Sequence, residues 1–373
     1  MAEMIASGAA VYAMPVGLTD LCLNDKDATL PLAGGVCHFS AYRIIASQYG
    51  ERVFEKIVPL ETIETFLSGL SDEHQQRLQA QIVNSTSLRA PWHLSRERLV
   101  GFNAPKLMGI LNVTPDSFSD GGKHLDISKA IAHGEVMAGN GAYIIDIGGE
   151  STRPGAKVVW EGDEIERVVP VIEALAGQGH IISVDTRKAA VMRAALDAGA
   201  AIVNDVSALG YDEEATDVVA ESNCPVVLMH AQGDPATMQN NPSYDDALLD
   251  IFDWLESKIE KCEQAGIARD RIMIDPGIGF GKSVRHNLEL TNGLSLFHAL
   301  GCPVLFGASR KRFIGALAGV EEAEERLPGS LAAAQMALDR GAQVIRVHDV
   351  AESRQLLNIW QGARDASQMP PNL

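Results

Sequence analysis

Lys106-Leu107-Met108-Gly109-Ile110-Leu111-Asn112-Val113-Thr114-Pro115-Asp116-Ser117-Phe118-Ser119-Asp120-Gly121-Gly122 opens as a short apolar run and breaks abruptly into a polar, turn-forming loop. An apolar run of that length suits a strand buried on both faces in a parallel sheet. Pro115 and the Gly121-Gly122 pair stop regular structure. Asn112 then falls where the strand surfaces at its carboxyl end, which is where a barrel of parallel strands carries its chemistry. A lone asparagine there is ordinarily a turn residue, so its weight depends on what the rest of the chain repeats.

The repetition is clear downstream. Apolar runs rich in Ile and Val alternate with helical stretches: Leu107–Leu111, Tyr143–Ile147, Ile181–Val184, Ile202–Val203, Val226–Met229, Ile272–Ile274, Val304–Phe306 and Val344–Val347. The predicted helices are Ser128–Ala138, Glu164–Ala176, Lys188–Ala198, Glu213–Glu221, Ala247–Ala265, Leu288–His298, Leu331–Arg340 and Ala351–Ala363. Eight such units over about 260 residues predict an α/β fold, a closed (β/α)8 TIM barrel. An open doubly wound sheet fits less well, because no GxGxxG follows the first strand and every strand, not one switch point, ends in polar residues.

Residues 1–103 lack this rhythm and read as an amino-terminal α/β appendage of unknown role, with the barrel over 104–365 and a tail over 366–373. Thr29–Ser47 suits a strand or two around Gly34-Gly35, and Leu60–Val83 suits one or two amphipathic helices. A barrel closes on its own strands, so a chain starting near Asn103 is expected to keep its fold.

Each apolar run ends in residues a plain loop has little reason to collect: Asn112; Asp146 with Glu150-Ser151-Thr152-Arg153; Asp185; Asn204-Asp205; His230; Asp275; Ser309-Arg310-Lys311; Arg346 and His348. All eight carboxyl ends meet on one face of a parallel barrel, so these residues converge. Asp146 and Asp205 have the look of ordinary loop ties, and His230 alone is commonly a satisfied core histidine. Asp185 and Asp275 end strongly apolar runs, where burying a carboxylate is costly without a partner. Arg346 and His348, two apart, share a side of the eighth strand and can clamp one anion.

Composition narrows the partners. The 373 residues are 46% hydrophobic and carry a formal charge of −18, without a dense Lys/Arg block, which excludes wholesale binding of nucleic acid or of an anionic membrane. No apolar run is long enough to span a bilayer, and the opening residues lack a basic leader. Five isolated cysteines without zinc spacing point to reduced thiols in a cytoplasmic protein. An anionic substrate therefore has to be met by locally placed cations.

At this point the chain resembles the dihydropteroate synthase family of folate biosynthesis, the sulfonamide targets, over about residues 105–365. The likeness rests on an ordered set of motifs: Leu111 to Gly122, Asp146 to Ala156, Ser183-Val184-Asp185-Thr186, Asn204-Asp205-Val206, Met229-His230, Asp275 to Lys282, Ser309-Arg310-Lys311 and Ile345 to Asp349. It implies a homodimeric transferase that joins 7,8-dihydropterin-6-ylmethyl diphosphate to 4-aminobenzoate and releases pyrophosphate, with Mg2+. It also implies that Asp185, Asn204, Asp275 and Lys311 hold the pterin, whose edge needs acceptors for its N–H groups and a donor for its oxygen. Asn112, as metal ligand, with Arg346 and His348 would meet the diphosphate and Mg2+. Thr152, Arg153, Phe280, Ser309 and Lys311 would line the aminobenzoate side. Asp185, Asp275, Lys311 and Arg153 are the catalytic candidates in a dissociative displacement.

Two departures stand out. Arg312 follows Lys311 where many family members place serine, leaving the contact to the aminobenzoate carboxylate open. The first hundred residues have no counterpart in the minimal enzyme and look too short for a folate-pathway kinase. The alternatives are a pterin-dependent methyltransferase, which would not need the anion ligands, and a catalytically silent pterin-binding paralogue. The loops 112–122 and 148–156, rich in Gly, Pro, Ser and Thr, are expected to close over a substrate.

Overall fold

The structure is a computed structural model and describes residues 5–19, 29–94, 98–114, 123–151, 158–233, 238 and 241–365. An amino-terminal unit comes first. It comprises β1 (Ala10–Val16), the short strands β2 (Leu30–Pro31) and β3 (His38–Phe39), β4 (Ala41–Gln48), β5 (Glu51–Pro59), α1 (Ile63–Leu67) and α2 (Asp72–Thr86). β1, β4 and β5 form an antiparallel sheet in that order. β1 and β4 bury nearly every side chain, whereas the edge strand β5 exposes Glu51, Arg52, Glu55 and Lys56, the charges that keep an edge from pairing with other chains. That charged edge and the uninterrupted apolar run of β1 hide both strands from a search for period-two alternation. Gln81 ties α2 to β1, its amide donating to Val11 O and accepting from Ala13 N.

A small hairpin follows, β6 (Trp92–His93) and β7 (Leu99–Val100), and then the repeating part. Its elements are β8 (Lys106–Asn112), α3 (Lys123–Gly139), β9 (Ile144–Gly148), α4 (Glu161–Gly177), β10 (Ile182–Asp185), α5 (Ala189–Asp197), β11 (Ile202–Asp205), α6 (Ala215–Ser222), β12 (Val226–Met229) and α7 (Ala247–Gln264). They continue as β13 (Ile272–Asp275), α8 (Val284–Asn292), β14 (Leu305–Phe306), α9 (Arg312–Ala318), α10 (Leu327–Leu338), β15 (Val344–Val347) and α11 (Val350–Asp365). The eight strands run parallel in the order β13-β12-β11-β10-β9-β8-β15-β14, and a bridge between Ile274 and Val304 joins the two ends. This is the expected TIM barrel. The helix expected over Leu288–His298 is instead two pieces, α8 and a 3-10 stretch Leu294–Leu300, because α8 stops at Gly293. No helix of the described residues is long and apolar enough to cross a membrane.

Alternation along each strand sorts the apolar residues into two separate clusters. Leu107, Ile145, Val184, Val203, Leu228, Ile274, Phe306 and Ile345 face the surrounding helices. Met108, Ile144, Ile202, Val227, Met273, Leu305 and Val344 fill the interior, and with them pack Trp92, Leu94, Val100 and Phe102. The hairpin β6–β7 thus plugs the amino-terminal end of the barrel. Trp92 is 2% exposed, meets Phe102 edge to face at 5.1 Å, and donates its indole N–H to Asp270 O at 2.8 Å.

The boundary expected near residues 102–105 therefore falls after residues that the barrel interior needs. A chain starting at Asn103 lacks Trp92, Leu94, Val100 and Phe102, which pack with Met108, Ile144 and Met273, so whether it keeps its fold turns on how much that packing contributes. Trp92→Ala in the full chain should cost about 3–5 kcal/mol in urea unfolding, the range for emptying a buried aromatic site. A loss below about 1 kcal/mol, the level of a surface change, would show that the plug is dispensable.

Candidate active site

Residues two apart on a strand share a face. Counting on in twos from the interior set brings Asn112, Asp146, Asn204, Asp275 and Arg346 to the inside of the barrel at its carboxyl end, and Asp185 joins them from Ile181. Asp205 has the opposite parity and turns back on its own loop. Its two oxygens accept from Ser207 N, Ser207 Oγ and Leu209 N, the structural tie that its sequence context suggests.

Arg346 organises the cup. Its Nε donates to Asp146 Oδ2 and its Nη2 to Asp185 Oδ2, both at 2.6 Å, so one guanidinium from β15 bridges carboxylates from β9 and β10. Asn204 Nδ2 adds a second donor to the same Asp146 oxygen at 2.9 Å. Asp146 is fully buried, and its Oδ1 has no hydrogen-bond partner among the described residues, an open acceptor. Burial pushes the Asp185 carboxyl up to about 7 despite the neighbouring guanidinium. Burial also raises Asp275, although Gly277 N donates to its Oδ1 at 2.7 Å. For Arg346, burial alone would favour the neutral form, but Asp146 and Asp185 hold it above its ordinary value. The cup is thus rich in acceptors that a ligand with several N–H groups would satisfy.

A second group sits on the loops after β14 and β13. Lys311 Nζ lies 3.8 Å from the centre of the Phe280 ring, and burial together with the Arg346 charge brings its ammonium down to about 7. Lys282 is 3% exposed, and its Nζ contacts His230 Nδ1 (2.9 Å), His230 O (3.3 Å) and Phe280 O (2.9 Å). Burial pulls Lys282 well below its usual range, while three acceptors give each proton of the ammonium form a partner. Gly277 lies directly over His230 with φ +69°, and a Cβ there would meet His230 O at 1.9 Å, so only glycine lets this loop fold down. His230 is accordingly a packed histidine whose imidazole burial keeps neutral, at about 2.

Ser309 Oγ accepts from His348 N and pairs with His348 Nδ1 at 3.0 Å. Burial, helped by Arg346 and Arg310, keeps His348 neutral, at about 3. With Ser309 donating to Nδ1, the remaining imidazole N–H is free to donate outward. Between Ser309 and Lys311, Arg310 holds a left-handed backbone, φ 59°, and its side chain forks onto Asp349 at 3.0 and 2.5 Å. That fork offsets the strain of a non-glycine residue there. The expected clamp is divided: Arg346 and His348 share a strand face, but Arg346 is taken up by carboxylates and His348 by Ser309.

The candidates Thr152 and Arg153 lie outside the described residues, as does most of both loops expected to close. What brackets the second loop is visible. Lys188 Nζ donates to Glu150 Oε2 (2.6 Å), Glu164 Oε2 (2.5 Å) and Val159 O (2.7 Å), while Val159 N donates to Glu150. Lys188, Glu164, Lys282 and the interior position of Asp146 were not singled out by the sequence reading. Strand parity would have found Asp146, whereas the lysine contacts come from distant loops and leave no local signal. Asn112 is half-buried at the end of β8, and Arg312 is exposed at the start of α9.

The family of pterin binding enzymes matches residues 108–348. The dihydropteroate synthase of Escherichia coli K12 is 47% identical over 265 residues, covering 71% of this chain and 93% of that protein. Two solved structures of the Xanthomonas albilineans dihydropteroate synthase are similar: with 4-aminobenzoic acid, 48% identity and TM-score 0.68, and with 7,8-dihydropteroate, 46% and 0.66. Each covers 74% of this chain and 97% of its own, so about a quarter of the present chain lies outside the shared part.

The bridge at Arg346 carries a pH signature. The folded Asp185 value lies above the 3.8 of the free side chain, so its contribution to stability is full below about pH 4 and is lost as pH rises through about 7. Removing Arg346 lifts that value further. Arg346→Met should therefore destabilise by about 3–5 kcal/mol at pH 8, the cost of stranding a buried charge, and by much less at pH 5, where the carboxyl is protonated. Equal losses at both pH values in denaturant unfolding would show that the cost lies with Asp146, which the same change strands, and not with ionised Asp185.

Proposed function

The chain belongs to the pterin-binding enzymes and, among them, to the dihydropteroate synthases, and we infer that it condenses 7,8-dihydropterin-6-ylmethyl diphosphate with 4-aminobenzoate, releasing pyrophosphate. The observation that carries this to a site is the convergence of Asp185, Asn204, Asp275, Lys311 and Arg346 inside the carboxyl mouth of the barrel. Asp185 and Asp275 accept from the amino and ring N–H groups of the pterin, Asn204 offers both an acceptor and a donor, and Lys311 donates to the ring oxygen. Such hydrogen bonds return to the buried carboxylates what water would have given them.

An arylamine is a poor nucleophile, which favours a dissociative path. The bond from the methylene carbon to the diphosphate oxygen breaks first, the electron pair leaves with the diphosphate, and the dihydropterin ring delocalises the positive charge. Asp185 and Asp275, in their ionised forms beside Arg346 and the pterin N–H donors, stabilise that charge. The lone pair of the aminobenzoate nitrogen then forms the bond to the carbon, and the resulting arylammonium gives its extra proton to water. His348, neutral and oriented by Ser309, donates an N–H to the departing diphosphate, and Arg153 supplies a cation there. The family likeness assigns Thr152, Phe280, Ser309 and Lys311 to the aminobenzoate, and of these Phe280 and Lys311 lie against each other. Arg312, exposed one residue on, is positioned in sequence to meet its carboxylate.

Mg2+ is bound largely through substrate phosphates and water with few protein ligands, and Asn112, half-buried at the end of β8, would hold it through its amide oxygen beside the diphosphate. When bound it neutralises the leaving group. We place the enzyme in the cytoplasm as a homodimer. The synthase name shared by the relatives sets aside the methyltransferase reading, and turnover separates an enzyme from a silent pterin binder.

Mixing the purified protein with pterin diphosphate, Mg2+ and 4-aminobenzoate should release pyrophosphate, and no release would refute the assignment. Asp275→Asn and Lys311→Ala should each lose about 1–3 kcal/mol of pterin pairing, seen as a roughly ten- to hundredfold drop in kcat/KM. His348→Ala should act mainly through the diphosphate. Near-parental kinetics in the first two would remove the pterin from this cup.

A second expectation concerns order of binding. If the two loops complete the aminobenzoate pocket only when an anion is held by Asn112 and His348, a sulfonamide mimicking aminobenzoate should bind weakly alone. It should bind markedly better with pyrophosphate and Mg2+, and by linkage should tighten pyrophosphate by the same factor. Equal sulfonamide affinity in both titrations would show that the sites are independent.

A further inference from the structure

The amino-terminal unit lies outside the family match at residues 108–348, yet its β4–β5 turn reaches the barrel close to the residues discussed above. Tyr49 and Gly50 both have positive φ, 56° and 82°, the conformation of a tight two-residue hairpin turn. The turn is pressed against the loop between β12 and α7, since a Cβ at Gly50 would come within 2.6 Å of Asp245 Oδ2. Next to it, Arg52 Nε donates to Asp246 Oδ2 at 2.6 Å. Asp246 is the amino-terminal cap of α7, its other oxygen accepting from Leu248 N and Leu249 N. A foreign strand therefore grips the residue that fixes where this loop ends and the helix begins.

Two residues earlier, Tyr244 OH donates to Gly281 O at 2.8 Å. Gly281 stands between Phe280, whose ring faces Lys311, and Lys282, whose ammonium binds Phe280 O. Gln232 holds the same region from the other side, its amide donating to Ser243 O while its own carbonyl lies where a Cβ of Gly281 would be, at 2.6 Å. The grip is not confined to the tip. Tyr12 donates to Asp253 at 2.7 Å and Arg77 pairs with Glu256 at 2.6 Å, both on α7. The unit thus has a fixed base on the helix and a finger on its cap.

We propose that the amino-terminal unit is a buttress for the β12–α7 loop and that Arg52 and Tyr244 are positioning residues which set Phe280 for aminobenzoate, the site at which the reading above places that substrate. The ion pair is partly exposed, 30% for Arg52 and 15% for Asp246, so it adds little to global stability. Its effect is local: to the hydrogen bonds of Tyr244 and Gln232 it adds a contact from outside the barrel that selects one placement of the loop's end.

The test uses the full chain with Arg52→Ala, Arg52→Lys, Tyr244→Phe and the Arg52→Ala/Tyr244→Phe double variant. Arg52→Ala should raise the KM for aminobenzoate at least about fivefold, the lower end of coupling between sites, with the KM for pterin diphosphate, kcat and the thermal midpoint little changed. Arg52→Lys should recover part of the loss. Tyr244→Phe should act in the same direction, and in the double variant the two effects should not add, because both lie on one path. Amide hydrogen exchange should quicken at 243–246 and at 280–282 in Arg52→Ala. Unchanged exchange overturns the buttress, and quickened exchange with an unmoved aminobenzoate KM overturns its link to substrate. A parent chain that releases no pyrophosphate refutes the function instead, while exchange still decides the buttress.

Discussion

One guanidinium holds the barrel mouth together. Arg346, on the last strand, reaches across the interior to Asp146 and Asp185 on the second and third. A parallel barrel forces this kind of solution. Its strands end on one face, so polar termini crowd into a space already walled by apolar residues, and a carboxylate there is tolerated only beside a cation or a donor. The pairing leaves the cup unfinished on purpose of charge: Asp185 is held up near neutrality by burial, Asp146 keeps an acceptor open, and Lys311 is brought down toward neutrality beside them. A ligand that brings several N–H groups and one oxygen completes the set.

The barrel was legible because a buried parallel strand writes a nearly continuous apolar run, and eight of these recur with helices between them. The interior side of the site was legible for the same reason, since alternation assigns Asp185, Asn204, Asp275 and Arg346 to one face by counting. Partners were not legible. That Arg346 would be taken by carboxylates rather than held open with His348 depends on which side chains stand opposite across the barrel, and no local pattern records that. Lys282 shows the same limit, because its three acceptors come from residues 230 and 280 and lie together only once Gly277 folds onto His230. The plug at the other end escaped because Trp92, Val100 and Phe102 sit in two-residue strands and turns, too short to carry a period.

The appended unit has two parts with different duties. Residues after about 88 close the bottom of the barrel and belong to it energetically, as the shared interior cluster of Trp92 with Met108 and Met273 shows. The sheet and α2 before them dock on the side, through α7 and the 3-10 stretch Leu294–Leu300, where Ser295 Oγ donates to Pro15 O and Asn84 Nδ2 to Ala299 O. Arg89 spans the two, buried and donating to Asn84 O, Ser87 O and His298 O. A boundary drawn by rhythm alone cannot see that division, because both parts lack the rhythm.

Docking on the side has a consequence for the rim. The carboxyl-end loops of a barrel are held at their two feet by strand and helix, and what lies between is free to vary in placement. A unit fixed to the outside of α7 can reach only the loop that feeds that helix, and it does so at the cap, the point where one contact constrains both the last turn of loop and the first turn of helix. Tyr244 carries that constraint inward to Gly281, and the neighbouring carbonyl of Phe280 is already claimed by the buried Lys282. Lys282 therefore fixes the loop after β13 from below and Tyr244 from the side, so Phe280 is held from two directions beneath Lys311. Charge follows the same layout: the chain is strongly acidic overall, but within the mouth Arg346, held above its ordinary value, offsets the carboxylates of Asp146 and Asp185.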